Sequence, residues 1–193
     1  MEKYWVVTFL ISTSMIFKHY LHNRLEYACE VIGVMVFLST VPSIKFTVIT
    51  PFYTFLGYLL ALPLLNISCL ISRLNSHIWC KFPVPNSKLA LAVIYEEIVW
   101  RFCLQNSVSR ILCSFDFMGM DLQWLSILYV TIVFVFSHKQ NSVRSSFEMV
   151  LYSAVIGLSY AILPGMNYGL HFGRNCIIAE VLRESGKHPA KPD

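Results

Sequence analysis

Two adjacent glutamates and an arginine interrupt an otherwise apolar stretch between Leu89 and Leu104. Glu97 and Arg101 are four residues apart with the acid first, which is the favoured order for an ion pair on one face of an α-helix. Glu96 lies about 100° further around such a helix, so it cannot share the arginine equally. We therefore expect Glu97 to stay ionised and Glu96 to be the better general base. A structural ion pair, or the charged lining of a transport path, would use the same residues.

Two further apolar stretches each carry a histidine. His138 follows Phe134 by four residues, so the phenylalanine should pack beside the imidazole ring. His171 and Asn175 are also four residues apart and share one face of a helix. Taken singly, His138 fits an interfacial residue at a helix end, and the second pair fits a hydrogen-bonding pair between helices. Arg174, beside that pair, could bind Glu148 or Glu180, or reach the membrane surface.

The elements that carry these residues have the composition of membrane helices. Of 193 residues, 56% are hydrophobic and 13% charged, whereas globular proteins have about 25% charged residues. This composition excludes a typical soluble enzyme and a disordered chain. A helix needs about 20 apolar residues to cross the hydrocarbon core. We predict an all-α polytopic transmembrane bundle with about seven spans, near residues 4–21, 27–44, 46–72, 89–113, 122–138, 147–163 and 166–182.

The chain is predicted to form one membrane domain. Its N-terminal spans occupy residues 1–87, the catalytic core occupies 88–183, and a flexible tail follows at 184–193. Segment 4–21 is the weakest span, because it has the length of a signal-peptide core. No small-residue cleavage site follows it, which favours a short span.

Basic residues are unevenly distributed between the loops on the two sides of this bundle. One side carries ten Lys and Arg residues, and the other carries only Lys3, Lys45 and Arg110. Because cytoplasmic loops are enriched in basic residues, we expect a multi-pass protein of the cell membrane with a cytoplasmic C-terminus. The basic residues are scattered among apolar runs, which does not fit a nucleic-acid surface. Lipid is the expected partner, and no nucleic acid is expected.

Three motifs occur in order on three of these helices. They are Glu-Glu-x-x-x-Arg at 96–101, Phe-x-x-x-His at 134–138 and His-x-x-x-Asn at 171–175. In this order they resemble the motifs of the CAAX-protease and bacteriocin-processing family of intramembrane peptidases. The turn Pro164-Gly165-Met166-Asn167, just before the last motif, is also similar to the family. The resemblance covers roughly residues 88–183.

The resemblance implies an intramembrane endopeptidase that acts on a membrane-tethered peptide or protein. The family's substrates include prenylated proteins, bacteriocin or pheromone precursors and proteins with sorting tails. Carried over to this chain, Glu96 with His138 would activate a water, and His171 with Asn175 would donate hydrogen bonds to the oxyanion. The other two residues of the first motif would support these side chains: Glu97 and Arg101.

A zinc ion is an alternative to this metal-free mechanism. Glu96, His138 and His171 could form a three-ligand site with an open position for water. The chain lacks the His-Glu-x-x-His pair that holds two ligands on one helix face. This absence favours the glutamate mechanism without a cofactor.

The two histidines are expected at different depths in the membrane. At about 1.5 Å per residue, the predicted spans separate His138 and His171 by roughly 15 Å in depth. Either the fifth helix extends beyond residue 138, or tilt and a re-entrant sixth span bring the two levels together. Otherwise one of the histidines is wrongly assigned.

Two other classes of function fit the composition. A non-enzymatic membrane protein could bind a bacteriocin and confer immunity. A small proton-coupled transporter could use Glu96 and Glu97 as a relay. The presence of four polar residues argues against the immunity protein, because binding alone does not require all of them: Glu96, His138, His171 and Asn175. Against transport, it shows no paired halves with similarly interrupted helices.

Overall fold

The computed structural model describes residues 1–16, 23–39, 50–71, 87–115, 122–138 and 142–184. Within these ranges the chain is helical and contains no strand, which confirms the all-α class. The helices of the described ranges are α1 (Glu2–Ile16), α2 (Asn23–Leu38), α3 (Thr50–Ile71), α4 (Ser87–Glu97), a π-helix (Ile98–Gln105), α5 (Asn106–Leu112), α6 (Gln123–Ser137), α7 (Val143–Ile162) and α8 (Met166–Glu184).

All seven predicted segments coincide with helical parts of the structure. Segment 89–113 corresponds to α4, the π-helix and α5 together, and α7 begins at Val143, four residues before the predicted span. The C-terminal parts of segments 4–21 and 27–44 lie outside the described residues.

Two helices of the described ranges are long and apolar enough to cross a membrane. They are Pro51–Ile71 and Val143–Ile162. Ala28–Leu38 and Trp124–Ser137 are apolar but shorter. The bundle of about seven spans therefore stays a prediction.

The chain divides into two compact units, each built from two stretches of sequence. Unit 1 comprises Met1–Phe46 and Tyr95–Asn141, and unit 2 comprises Thr47–Ile94 and Ser142–Asp193. The organisation into one domain with a catalytic core at 88–183 stays a prediction, and most of the predicted tail lies outside the described residues.

In unit 1, α1 packs against α2, α5 and α6, and the π-helix packs against α1, α2 and α6. The hydroxyls of Ser12 and Tyr129 lie 2.9 Å apart and join α1 to α6. Phe37 of α2 meets Phe102 of the π-helix edge to face, with ring centroids 5.2 Å apart. These contacts hold the π-helix from two sides.

In unit 2, α3 and α8 approach so closely that their backbones touch. A methyl group on Gly57 would lie 2.3 Å from the carbonyl oxygen of Met166, and one on Gly169 would lie 1.9 Å from that of Thr54. Small residues allow helices to pack at such distances, as is common in membrane proteins. The core beside this contact consists of Ala61, Leu65, Cys69, Tyr152, Ile156, Leu170 and Ile177.

A short turn joins α7 to α8. Gly165 has φ 101°, a conformation that favours glycine because it has no Cβ. The Gly165 N–H donates to Oδ1 of Asn167 over 3.0 Å, and the Thr54 hydroxyl donates to the Gly165 carbonyl over 3.1 Å. The turn therefore fixes where α8 begins, five residues before His171.

Candidate active site

The first motif lies where the chain changes from an α-helix to a π-helix. Glu96 and Glu97 end α4, and Arg101 lies within Ile98–Gln105. Glu96 is partly exposed, whereas Glu97 and Arg101 are 8% and 2% exposed. A π-helix closes i→i+5 hydrogen bonds and is found frequently at functional sites. The ion pair that the four-residue spacing of Glu97 and Arg101 predicts stays a prediction, and the helix type changes between the two residues.

Gln105 belongs to the surroundings of Arg101 and was missed in the sequence. Nη1 of Arg101 donates to Oε1 of Gln105 over 3.3 Å, and the glutamine is 4% exposed. A glutamine four residues after a buried arginine was the available signal. This hydrogen bond ties the guanidinium to the last residue of the π-helix.

His138 lies directly after the last residue of α6. Its Nδ1 is 2.8 Å from the carbonyl oxygen of Phe134 and 2.9 Å from the Ser137 hydroxyl. A carbonyl oxygen only accepts, so this contact assigns the proton to Nδ1. In the neutral ring the lone pair is then on Nε2, which is the atom that could accept a proton.

Aromatic rings connect the π-helix to this histidine. The rings of Phe134 and His138 have centroids 4.3 Å apart, which confirms the predicted packing of this pair. Trp100, four residues after Glu96, meets Phe134 edge to face with centroids 5.0 Å apart. Unit 1 therefore holds the first and second motifs on helices that touch.

The fifth predicted span does not continue as a helix through His138. α6 ends at Ser137, and His138 has an extended backbone with φ −108° and ψ 116°. Extension of that helix beyond residue 138 was one of the two ways to reconcile the depths of the histidines, and it was wrong. The extended backbone instead lets the ring fold back onto the last turn of α6.

The third motif lies on α8 in unit 2. His171 is 4% exposed and Asn175 is partly exposed, one turn further along the same helix. Both lie on the opposite side of α8 from Gly169 and Gly173, the glycines that contact α3. The close packing against α3 therefore directs this pair away from the helix contact.

Arg174 binds Glu148, which was one of the alternatives left open by the sequence. Its Nη2 lies 2.8 Å from Oε2 and its Nε 3.3 Å from Oε1 of the carboxylate. The two side chains are 12% and 6% exposed. Glu180 is bound instead by Arg183, in a surface pair on the same helix.

No group of three or more His, Cys, Asp or Glu side chains that could hold a metal ion occurs among the described residues. Glu96 and His138 belong to unit 1, and His171 belongs to unit 2. A zinc site of these three residues stays a hypothesis.

The segment that contains the three motifs matches the model of a known family. Residues 87–175 match the model of a family described as type II CAAX prenyl endopeptidase Rce1-like. The matched segment is similar to this family. It begins with the first residue of α4, ends on Asn175 and contains all three motifs. No curated protein and no solved structure matched the chain.

The Rce1-like segment covers just under half of the chain. It confirms the resemblance to the CAAX-protease family and supports a protease. The N-terminal helices α1, α2 and α3 lie outside it. They nevertheless pack against matched elements, α1 and α2 on the π-helix and α3 on α8.

Proposed function

We propose that this protein is an intramembrane endopeptidase that hydrolyses a peptide bond in a membrane-tethered substrate. The substrate would be a prenylated protein, a bacteriocin or peptide precursor, or a protein with a sorting tail. The observation that carries the proposal is the presence of all three motifs, in order, inside the Rce1-like segment. Several of their polar side chains are buried in a chain with few charges, and buried charges are costly without a function.

Glu96 is the proposed general base, assisted by His138. It is the partly exposed member of the acidic pair, so a water can reach it, whereas Glu97 is buried. His138 would accept or return a proton through Nε2, since the Phe134 carbonyl holds the proton on Nδ1. Glu97 and Arg101 would support these groups from the π-helix.

His171 and Asn175 are the proposed oxyanion donors. Amide hydrolysis builds negative charge on the scissile oxygen, and fixed donors stabilise it most strongly where little water is present. Both side chains project from one face of α8 at a spacing of one turn. A peptide carbonyl placed against this face would meet two donors.

The proposed location is the cell membrane, with several spans and a cytoplasmic C-terminus. Large apolar side chains point outward on helices of both units, including Phe136 at 71%, Phe9 at 68% and Phe55 at 61% exposed. Exposed apolar surface of this kind fits contact with lipid tails. Lipid would therefore surround the enzyme, and the substrate would reach it from the bilayer.

If the reaction uses zinc, Glu96, His138 and His171 are the residues that would hold the ion. The assigned Nδ1 proton of His138 fits such a role, because metal-bound histidines commonly donate one ring N–H to a carbonyl. Zinc would supply Lewis-acid activation of the attacking water. We favour the metal-free mechanism, and a strong chelator added to the purified wild-type protein separates the two.

The decisive experiment uses purified protein in lipid vesicles with a farnesylated, fluorescently labelled peptide. We expect Glu96→Gln to reduce cleavage by about 10²–10⁴-fold, the range for an acid-base group. His171→Ala should reduce it by about 10²–10³-fold, the range for an oxyanion donor. Glu180→Gln is the matched control, because Glu180 lies on α8 but binds only at the surface. If Glu96→Gln and His171→Ala both cleave the peptide at the wild-type rate, the proposal is refuted.

A further inference from the structure

Arg174 of α8 and Glu148 of α7 form an ion pair with nearly full bidentate geometry in a buried position. Two guanidinium nitrogens donate to the two carboxylate oxygens over 3.3 and 2.8 Å. Planar pairs of this type fix orientation as well as distance. Neither residue occupies a specified position of the three motifs, and neither has a role in the chemistry described above.

A second contact joins the same two helices one turn away. The Tyr152 hydroxyl donates to the carbonyl oxygen of Leu170 over 3.0 Å, and the tyrosine is 2% exposed. Glu148 and Tyr152 are four residues apart on α7, as are Arg174 and Leu170 on α8. The contacts therefore run in opposite directions along the chain, as they must between antiparallel helices.

The two contacts are also joined to each other and to α3. The guanidinium carbon of Arg174 lies 5.2 Å from the centre of the Tyr152 ring, a distance at which a cation and an aromatic face attract. The Ser68 hydroxyl of α3 shares its proton between the Leu65 carbonyl oxygen at 2.9 Å and Oε1 of Glu148 at 3.3 Å. We call the set Ser68, Glu148, Tyr152 and Arg174 the α7–α8 clamp.

The anchored residues of α8 directly precede the proposed oxyanion donors. Leu170 is followed by His171, and Arg174 is followed by Asn175. α8 is also held on another side by the backbone contact of Gly169 and Gly173 with α3. Rotation or sliding of α8 would break the clamp, and the same movement would redirect both donors.

We propose that the α7–α8 clamp positions His171 and Asn175 for oxyanion binding, with Glu148 and Tyr152 as positioning residues. The inference rests on the proposed peptidase function. Catalytic donors must stay within about 0.5 Å of their productive position, and a misplacement of about 1 Å can cost about 10²-fold in rate. A clamp on the residues next to the donors meets that requirement without touching the substrate.

The test measures kcat and KM for cleavage of the farnesylated peptide in vesicles. We expect the double variant Glu148→Gln/Arg174→Gln, which leaves no buried charge alone, to lower kcat by about 10–10²-fold with little change in KM. Tyr152→Phe should lower kcat less, and Arg174→Lys should retain more activity than Arg174→Gln. Arg183→Gln, which removes the exposed arginine of the same helix, is the matched control.

A comparison of combined variants separates positioning from general stability. If the clamp acts through the donors, Glu148→Gln/Arg174→Gln should cause little further loss once Asn175→Ala is present. A full, additive loss in that background, or wild-type kcat in folded clamp variants, would overturn the inference. If the double variant does not fold, Tyr152→Phe and Arg174→Lys supply the same comparison.

The outcome also distinguishes the clamp from the peptidase proposal. If wild type cleaves, Glu96→Gln does not and the clamp variants keep wild-type kcat, only the clamp inference fails. If wild type does not cleave, or if Glu96→Gln and His171→Ala both cleave normally, both proposals fail.

Discussion

The two units hold their proposed catalytic residues in different ways. In unit 1, Glu96 lies beside the change from α-helix to π-helix, and His138 follows the last residue of α6 in an extended conformation. In unit 2, His171 and Asn175 lie in the middle of a regular α-helix. The residues assigned to proton transfer thus lie at or just beyond the ends of α-helices, and those assigned to hydrogen-bond donation lie within one.

The glycines at the helix contacts of the two units also differ in what they pack against. In unit 1, Gly33 of α2 faces α1, and a methyl group on it would meet the Ile11 side chain at 2.8 Å. A methyl group on Gly169 in unit 2 would meet a backbone oxygen at 1.9 Å. A single side chain can be displaced by a small shift of its own atoms, whereas a backbone atom cannot move without shifting the helix. Unit 2 is therefore the less adjustable half, which suits fixed oxyanion donors.

The largest expected effect concerns the donors of unit 2. Asn175→Ala should lower kcat by about 10²–10³-fold with KM almost unchanged, because the lost hydrogen bond acts mainly in the transition state. Steady-state cleavage assays measure both constants. Asn106→Ala is the control, since Asn106 Nδ2 donates to the carbonyl oxygen of Phe102, four residues earlier, over 2.9 Å. A loss smaller than about tenfold would remove Asn175 from the proposed site.

The next effect compares the glycines of the two units. Gly169→Ala should reduce the free energy of unfolding by about 3 kcal/mol, the upper part of the range for overpacked sites. Gly33→Ala should reduce it by only about 1 kcal/mol, the lower part of that range, because the methyl group would displace one buried side chain, Ile11, and no backbone atom. Titration with a denaturing detergent measures both values. Equal changes would show that the two helix contacts are equally adjustable.

A smaller effect is expected in the π-helix of unit 1. Gln105→Leu removes an acceptor of the buried Arg101 guanidinium and should cost about 1.5–3 kcal/mol, as for hydrogen bonds to charged groups. Gln105→Glu keeps an acceptor at this position and should be less destabilising. The same unfolding titration measures both variants. If leucine proves as stable as glutamine, this hydrogen bond does not stabilise the π-helix.

The smallest effect concerns the second contact of His138. Ser137→Ala removes the hydroxyl but leaves the Phe134 carbonyl as acceptor for Nδ1–H. Cleavage should therefore fall by less than about tenfold, which corresponds to less than about 1.4 kcal/mol. His138→Ala measured in parallel should lose far more activity. A comparable loss in both variants would mean that the serine, not the carbonyl, orients the ring.

The positions of the helices could be predicted because each apolar segment is bounded by polar or Pro/Gly-containing breaks. The contact of Phe134 with His138 could also be predicted, because it depends only on a spacing of four residues. Glu148 was identified as one candidate partner of Arg174, but the choice over Glu180 depends on how α7 lies against α8. Local sequence does not specify that packing.

The π-helix and the glycine contacts could not be predicted from local pattern. Ile98–Gln105 has the composition of an ordinary apolar helix, and propensities do not distinguish i→i+5 from i→i+4 hydrogen bonding. Gly57 of α3 packs against the backbone of α8, and Gly169 of α8 packs against the backbone of α3, although the two helices are far apart in the sequence. Packing in the folded chain therefore decided both features.

The π-helix adds a residue to this segment without turning the helix that follows it. Because an i→i+5 turn takes up about one residue more than an i→i+4 turn, deleting one residue from Ile98–Gln105 would restore α-geometry and leave α5 in almost the same orientation. Ser107, Val108 and Ile111, the buried side of α5, would keep their packing. Such a deletion would change the surroundings of the buried Arg101 and spare the helix beyond it, whereas the same deletion in a regular α-helix would turn every following residue by about 100°.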